Sequence, residues 1–126
     1  MKKIQVVRGL IFHNDSALLL EKQVFFGGKY DAPGGRIKKH ETDEQALNRE
    51  VIEEIGLGIT VERLLNDWVM NIPELQMHIE GKTYLCNTDS DKVRLGKEHF
   101  NYKWVERKDL LKQNIPNWLK DAILKI

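Results

Sequence analysis

The sequence predicts an α/β domain, a mixed β-sheet covered by helices. Three observations predict it. The chain has 126 residues, enough to bury one domain core and too few for two. Runs rich in β-branched and other apolar residues lie on both sides of a segment, starting near residue 42, whose apolar residues recur at helical spacing. A second helical pattern closes the chain, so the order is strands, helix, strands, helix, which suits a sheet with helical cover. Hydrophobic residues are 41% and charged residues 31% of the chain, the balance of a folded protein rather than a disordered one.

Taken in order, "KIQVVRGLIFH" reads as a strand, "NDS" as a turn and "ALLLEK" as a second strand. "QVFFGGKYDAPGG" is rich in Gly and reads as an irregular loop running into a short extended segment. Thr42 then predicts a helix N-cap, Gln45 completes a capping box, Asp43 and Glu44 suit the positive end, and Gly56 is the expected stop. Along that helix Leu47, Val51 and Ile55 form a stripe for the core. "ITVERLLNDWVM", "LQMHIEG", "KTYLCNT" and "YKWVE" read as further strands, separated by "NIPE" and "DSDKVRLGKEHF". In the tail, "NWLKDAILKI", Trp118, Leu119, Ala122, Ile123 and Ile126 have the spacing of an amphipathic helix. Trp68 and Trp104 sit in strand patterns and are expected in the core.

The 20 Lys and Arg nearly balance the 19 Asp and Glu, for a formal charge of +1. There is no overall field to attract duplex nucleic acid or an anionic membrane, so any polyanion must be bound locally. The first apolar stretch is cut by Arg8 and ends at His13-Asn14-Asp15, unlike a signal peptide, and no run approaches membrane-spanning length. Cys86 is the single cysteine. A reducing cytoplasm is the expected location, with Cys86 in the core rather than acting as a nucleophile. His13, His40, His78 and His99 show no metal-ligand spacing and are assigned no role.

The segment "REVIEEIG", residues 49–56, carries the chemistry. Glu50, Glu53 and Glu54 stand at i, i+3 and i+4, neighbours on one helical face, where like charges repel. A hard cation such as Mg²⁺ wants such carboxylate oxygens, with water and substrate phosphate completing its shell. Gly34 and Gly35 lie shortly before, where the backbone can approach a ligand closely.

"GRIKKHETDEQALNREVIEEIGL", residues 35–57, resembles the signature of the Nudix hydrolases at every specified position: Gly35, Glu41, Arg49, Glu50, Val51, Glu53, Glu54, Gly56 and Leu57. A chance match is expected on the order of 10⁻⁹ times per starting position. The resemblance implies the Nudix fold, an α/β/α sandwich around a central mixed β-sheet, forming a single domain over residues 1–126. It implies hydrolysis of a nucleoside diphosphate linked to another group, with a divalent cation, Mg²⁺ or Mn²⁺. Glu50, Glu53 and Glu54 are implied as catalytic metal ligands, with the Gly34 carbonyl as an extra ligand. Gly35, Glu41, Arg49 and Gly56 are implied as structural residues of the motif, Glu41 and Arg49 as an ion pair. Which carboxylate is the general base stays open.

More loosely, the whole chain looks like the MutT-like nucleoside triphosphate pyrophosphatases. "EHFNYKWV" resembles a Glu followed six residues later by Trp, which makes Glu98 a further metal ligand or the base; the alternative is a surface Glu. Arg36 resembles a phosphate-binding position or is a solvated Arg. Asn117, in "IPNW", is either a reader of the purine or the N-cap of the last helix. The second strand ends in "LLLEKQ" where the MutT-like pattern has paired Arg, leaving Lys22 as the basic candidate. Phe25 and Tyr30 offer faces for stacking on a base or anchor the loop.

The expected function is thus a MutT-like pyrophosphohydrolase of nucleoside triphosphates, oxidised purine ones included, releasing nucleoside monophosphate and pyrophosphate. Its partner is a small-molecule nucleotide, and it acts as a monomer or homodimer. The alternatives are an ADP-ribose or dinucleoside polyphosphate pyrophosphatase, with Pro73 as the cue for ADP-ribose, and a non-catalytic nucleotide-binding sensor.

Overall fold

A computed structural model describes residues 1–22, 28–97 and 101–126. Strands β1 (Lys2–His13) and β2 (Ser16–Glu21) form the expected hairpin, turning at Asn14, which takes a left-handed φ of 55°. Two short strands follow, β3 (Tyr30–Asp31) and β4 (Gly34–Arg36), then helix α1 (Asp43–Ile55). Strands β5 (Thr60–Ile72), β6 (Met77–Asn87) and β7 (Tyr102–Glu106) lead to helix α2 (Asn117–Ile123).

The seven strands make one mixed sheet with the path β3-β2-β1-β6-β5, β4 pairing with β1 and β7 with β2. Strand β1 runs parallel to β6 in unbroken register from Lys2–Met77 to Phe12–Asn87, while its other pairings are antiparallel. Side chains alternate across a strand, so the sheet has two apolar faces. Val7 and Ile11 of β1 and Leu18 and Leu20 of β2 pack with Leu47, Val51 and Ile55 of α1. Leu10, Ala17 and Leu19 point the other way, into a cluster with Leu110, Leu119, Ala122 and Ile123. The run "ALLL" is buried throughout because it feeds both layers. The result is the α/β/α sandwich expected from the sequence. Among the described residues no helix is long and apolar enough to cross a membrane.

Two elements, β6 and α2, differ in detail from the sequence reading. "LQMHIEG" and "KTYLCNT" belong to one strand, β6, with no break at Gly81. Gly81 stays in the ladder because the Trp68 ring lies over it: a Cβ there would come within 2.2 Å of the indole. Asn117 is not the N-cap of α2; Pro116 holds that position and no side chain caps the helix. The helix itself stops at Ile123, although Ile126 still packs against the α2-side core. Cys86 is buried as expected, and desolvation pushes its thiol up to about 12. Trp68 and Trp104 are half-buried against the α2-side and α1-side cores, Trp68 stacked on Trp118 with ring centroids 4.3 Å apart.

Candidate active site

Helix α1 is fixed at both ends. At its start the Gln45 N–H donates to Thr42 Oγ1 (3.1 Å) and the Thr42 N–H to Gln45 Oε1 (3.0 Å), the reciprocal capping box. At its end Gly56 adopts φ 70° and its N–H donates to the Ile52 carbonyl. The carbonyls of Glu54 and Ile55 accept from the backbone N–H groups of Gly96 (2.8 Å) and Arg94 (2.9 Å), so the segment before residue 98 is strapped to the end of the helix. No basic side chain lies in that last turn. Glu53 and Glu54 therefore stand at the negative end of the helix dipole, where a carboxylate is disfavoured and a cation is favoured.

The three carboxylates are held differently. Arg49 reaches across the helix start: its Nε donates to Glu41 Oε2 at 2.7 Å and its Nη2 to Glu41 Oε1 at 2.9 Å, a two-pronged pair. Nη2 also donates to the Arg36 carbonyl and Nη1 to Glu50 Oε1, at 3.0 and 2.9 Å. Hydrogen bonding to Arg49 holds the Glu41 carboxyl well below the usual range, at about 2. The same partners push the Arg49 guanidinium above its ordinary value, Glu41 first. Glu50 goes the other way: burial raises its pKa, the Arg49 bond opposes this, and the charge of Glu54 adds to it. Glu54 Oε1 accepts the Gly34 N–H at 2.8 Å, which ties the helix to β4. Glu53 is the most open, its side chain 57% exposed, with Arg49 Nη1 3.7 Å away.

The glycine pair has two distinct jobs. A Cβ on Gly35 would lie 2.4 Å from the Glu50 carboxyl carbon, so Gly35 makes room for the Glu50 carboxylate. A Cβ on Gly34 would lie 2.0 Å from the Val7 carbonyl oxygen, so Gly34 makes room for the β1–β4 ladder. Among the described residues no three carboxylate, His or Cys side chains already converge on one point. The oxygen donors on this side of the helix that could hold a hard cation are Glu50, Glu53, Glu54 and the Gly34 carbonyl, beside a strand edge without Cβ atoms.

Of the other expected residues, Arg36 is exposed on β4, one residue beyond Gly35. Tyr30 packs against the α2-side core with Lys103 Nζ 4.0 Å from its ring centroid, which supports its anchoring role. Asn117 is exposed, one residue before the buried Trp118. Pro73 opens a turn of 3₁₀ helix between β5 and β6. Lys22 Nζ lies 3.7 Å from Asp31 Oδ2 in a partly buried pair. Phe25 and Glu98 lie outside the described residues.

Two polar residues escaped the sequence reading. Arg8 lies under β3 and β4, its Nη1 3.3 Å from the Ala32 carbonyl and 3.4 Å from the Gly34 carbonyl. Asp31 is buried, with Oδ1 accepting the Ala32 N–H at 2.7 Å. A signal was present for Arg8, a charge inside the apolar run "IQVVRGLIF", since charged residues are seldom buried without a partner; Asp31, in a Gly-rich loop, carried none.

Sandwich and signature together define a hydrolase of phosphoric anhydride bonds that generally works with divalent cations. The chain belongs to the Nudix family, whose NUDIX domain model matches residues 3–125. It is 33% identical over 76 residues to an 8-oxo-dGTP diphosphatase of Proteus vulgaris, covering 58% of this chain and 68% of that one. It is 27% identical over 124 residues to the nucleoside triphosphatase NudI of Escherichia coli O17:K52:H18, covering 88% and 87%. Its fold is similar to that of a MutT NUDIX hydrolase from Burkholderia pseudomallei, with a TM-score of 0.85 at 21% identity over 100% of this chain and 99% of that one.

Proposed function

We propose that the chain is a MutT-like pyrophosphohydrolase that uses Mg²⁺, or Mn²⁺ in its place, to cleave nucleoside triphosphates into nucleoside monophosphate and pyrophosphate. The observation that carries this reading is the complete carboxylate face of α1 set against Gly34 and Gly35. A non-catalytic sensor has no need to keep three mutually repelling Glu at the negative end of a helix. The relatives named for 8-oxo-dGTP and nucleoside triphosphates support this substrate class, oxidised purine nucleotides included. Residues 1–126 act as one domain in this reading, in the cytoplasm, as a monomer or homodimer.

Glu50, Glu53, Glu54 and the Gly34 carbonyl would hold the cation, which supplies positive charge to phosphate oxygens as the anhydride bond breaks. Arg49 keeps Glu50 oriented and is itself fixed by Glu41, so the pair positions the ligand set. Arg36, exposed beside Gly35, meets the phosphate chain. Proton transfer from the attacking water falls to a carboxylate of this face or to Glu98.

The test is a substrate panel with purified protein and Mg²⁺: natural and 8-oxo nucleoside triphosphates, ADP-ribose and diadenosine polyphosphates, with phosphate and pyrophosphate measured separately. Pyrophosphate release with a preference for triphosphates is expected. Preference for ADP-ribose, with no pyrophosphate released, would overturn the reading.

A further inference from the structure

Strand β5 closes one end of the sheet path, and among the described residues no strand pairs with its outer edge. The other end of the path is β3, only two residues long, which offers little to a further strand. In contrast, β5 runs for 13 residues. Register shifts between Val61 and Arg63 and between Leu64 and Asn66 break its first half, and Pro73 follows its end. Between them lies a regular run, "NDWVMNI", residues 66–72, paired residue for residue with β6. Natural sheet edges are guarded by Lys, Pro or a bulge. This run contains none of these, and its one charge is Asp67. Val69, at its centre, is 64% exposed, and Asp67 and Asn71 on the same face are exposed as well.

An edge of unpaired N–H and C=O groups is a template for another strand, and the residues of this run fit a second copy of themselves. Two identical antiparallel strands meet around a twofold axis normal to the sheet. Full overlap of residues 66–72 places that axis at Val69. Val69 then faces Val69 of the second copy, Trp68 faces Met70, Asp67 faces Asn71 and Asn66 faces Ile72. No charge meets its like, and the indole and thioether make a favourable contact on each side of the axis. Asn71 Oδ1 lies 2.7 Å from His78 Nδ1, which leaves the Asn71 amide N–H groups to donate to Asp67 of the second copy. Beyond each end of the run the exposed Glu74 of one copy comes near the exposed Arg63 of the other, unlike charges again. An axis at Asp67 would set two carboxylates against each other, and an axis at Trp68 or Met70 would pair fewer residues.

We infer that the outer edge of β5 is a self-complementary interface, on which a second copy of this chain adds its own β5 antiparallel and joins the two seven-stranded sheets into one. The twofold axis leaves both carboxylate helices on the same side of the joined sheet. The interface does not depend on the hydrolase reading.

The experiment is sedimentation velocity of the full chain over a dilution series, which reads whether the species has the 14.7 kDa mass of one chain or twice that. A dimer that dissociates on dilution is expected. Val69→Lys sets two ammonium groups opposite each other, and should weaken the dimer at least tenfold while leaving the melting temperature of the dilute chain unchanged. Val69→Cys tests the register. Directly opposite residues have Cα atoms about 4.5–5.5 Å apart, within disulfide reach, so mild oxidation should link two chains. Asp67→Cys, about 13 Å from its own copy, should not link, and the buried Cys86 stays out of the reaction. If Val69→Lys fails to fold, the two cysteine variants decide. A chain that is monomeric at every concentration overturns the inference, whether or not its β5 edge takes an extended peptide of another protein instead. A dimer indifferent to Val69→Lys, or one that links through Asp67→Cys and not through Val69→Cys, overturns it as well.

Discussion

Gly35→Ala is the sharpest test of how the site is built. The new Cβ would stand 2.4 Å from the Glu50 carboxyl carbon and 2.6 and 2.7 Å from its two oxygens. Non-bonded carbon atoms settle at about 3.5–4.0 Å, so the carboxyl group must withdraw by at least about 1 Å. It can do so, because the clash is with the far end of a side chain. The fold should survive, with a melting temperature close to that of the parent protein. Turnover should not: a displacement of about 1 Å at a reacting centre is worth on the order of 100-fold, or about 2.7 kcal/mol of barrier. Gly34→Ala makes the contrast, since its Cβ would meet the Val7 carbonyl oxygen at 2.0 Å and the Arg8 Cα at 2.8 Å. Neither backbone group can rotate away, so this variant should lose about 1–3 kcal/mol of stability or more. The assay pairs Mg²⁺-dependent pyrophosphate release with thermal melting for both variants. A folded Gly35→Ala enzyme with turnover within threefold of the parent would refute the assigned role of Glu50 and its glycine.

Glu53→Gln should lose turnover by at least two orders of magnitude while melting no lower than the parent, because it removes one of three repelling charges; steady-state kinetics and a melt check both. Burial raises the Glu50 pKa, so Glu50 takes up its proton at a pH where an ordinary Glu is still ionised, and Mg²⁺ competes with that proton. Mg²⁺ affinity measured by calorimetry should therefore start to fall, as pH drops from neutral, before the ordinary Glu value of 4.5 is reached. Glu41 has its folded value depressed to about 2 by Arg49. Its contribution to stability is present above the unfolded value and disappears as pH falls towards 2, so NMR titration of its carboxyl should show a midpoint near there. Cys86 should be inert to a thiol reagent in the native chain and react on unfolding, because the thiolate is the reactive form and the buried thiol is pushed up to about 12.

Much of this molecule is legible in the sequence because much of it is locally determined. The caps of α1, Thr42, Gln45 and Gly56, lie within reach of the groups they satisfy, and all appear as read. The Glu41–Arg49 pair is likewise found at the spacing of the signature. What was missed depends on partners far along the chain. The continuity of β6 through Gly81 is decided by Trp68 on the neighbouring strand, which no local pattern around "IEGKT" reveals. The pairing of Lys22, just past the end of β2, with Asp31 is likewise set by a residue brought close by the fold. The strap from Arg94 and Gly96 to the end of α1 is likewise invisible in a stretch without periodicity.

The unbroken parallel pairing of β1 with β6 has a consequence for how the chain acquires its shape. Lys2 finds its partner at Met77 and Phe12 at Asn87, so the central ladder joins segments far apart in sequence and must close a long loop before any of it is rewarded. During synthesis, the first hairpin and the carboxylate helix emerge with one side of their sheet still unpaired. Catalytic competence therefore arrives late and together with the fold, only after the strand of residues 77–87 has been delivered.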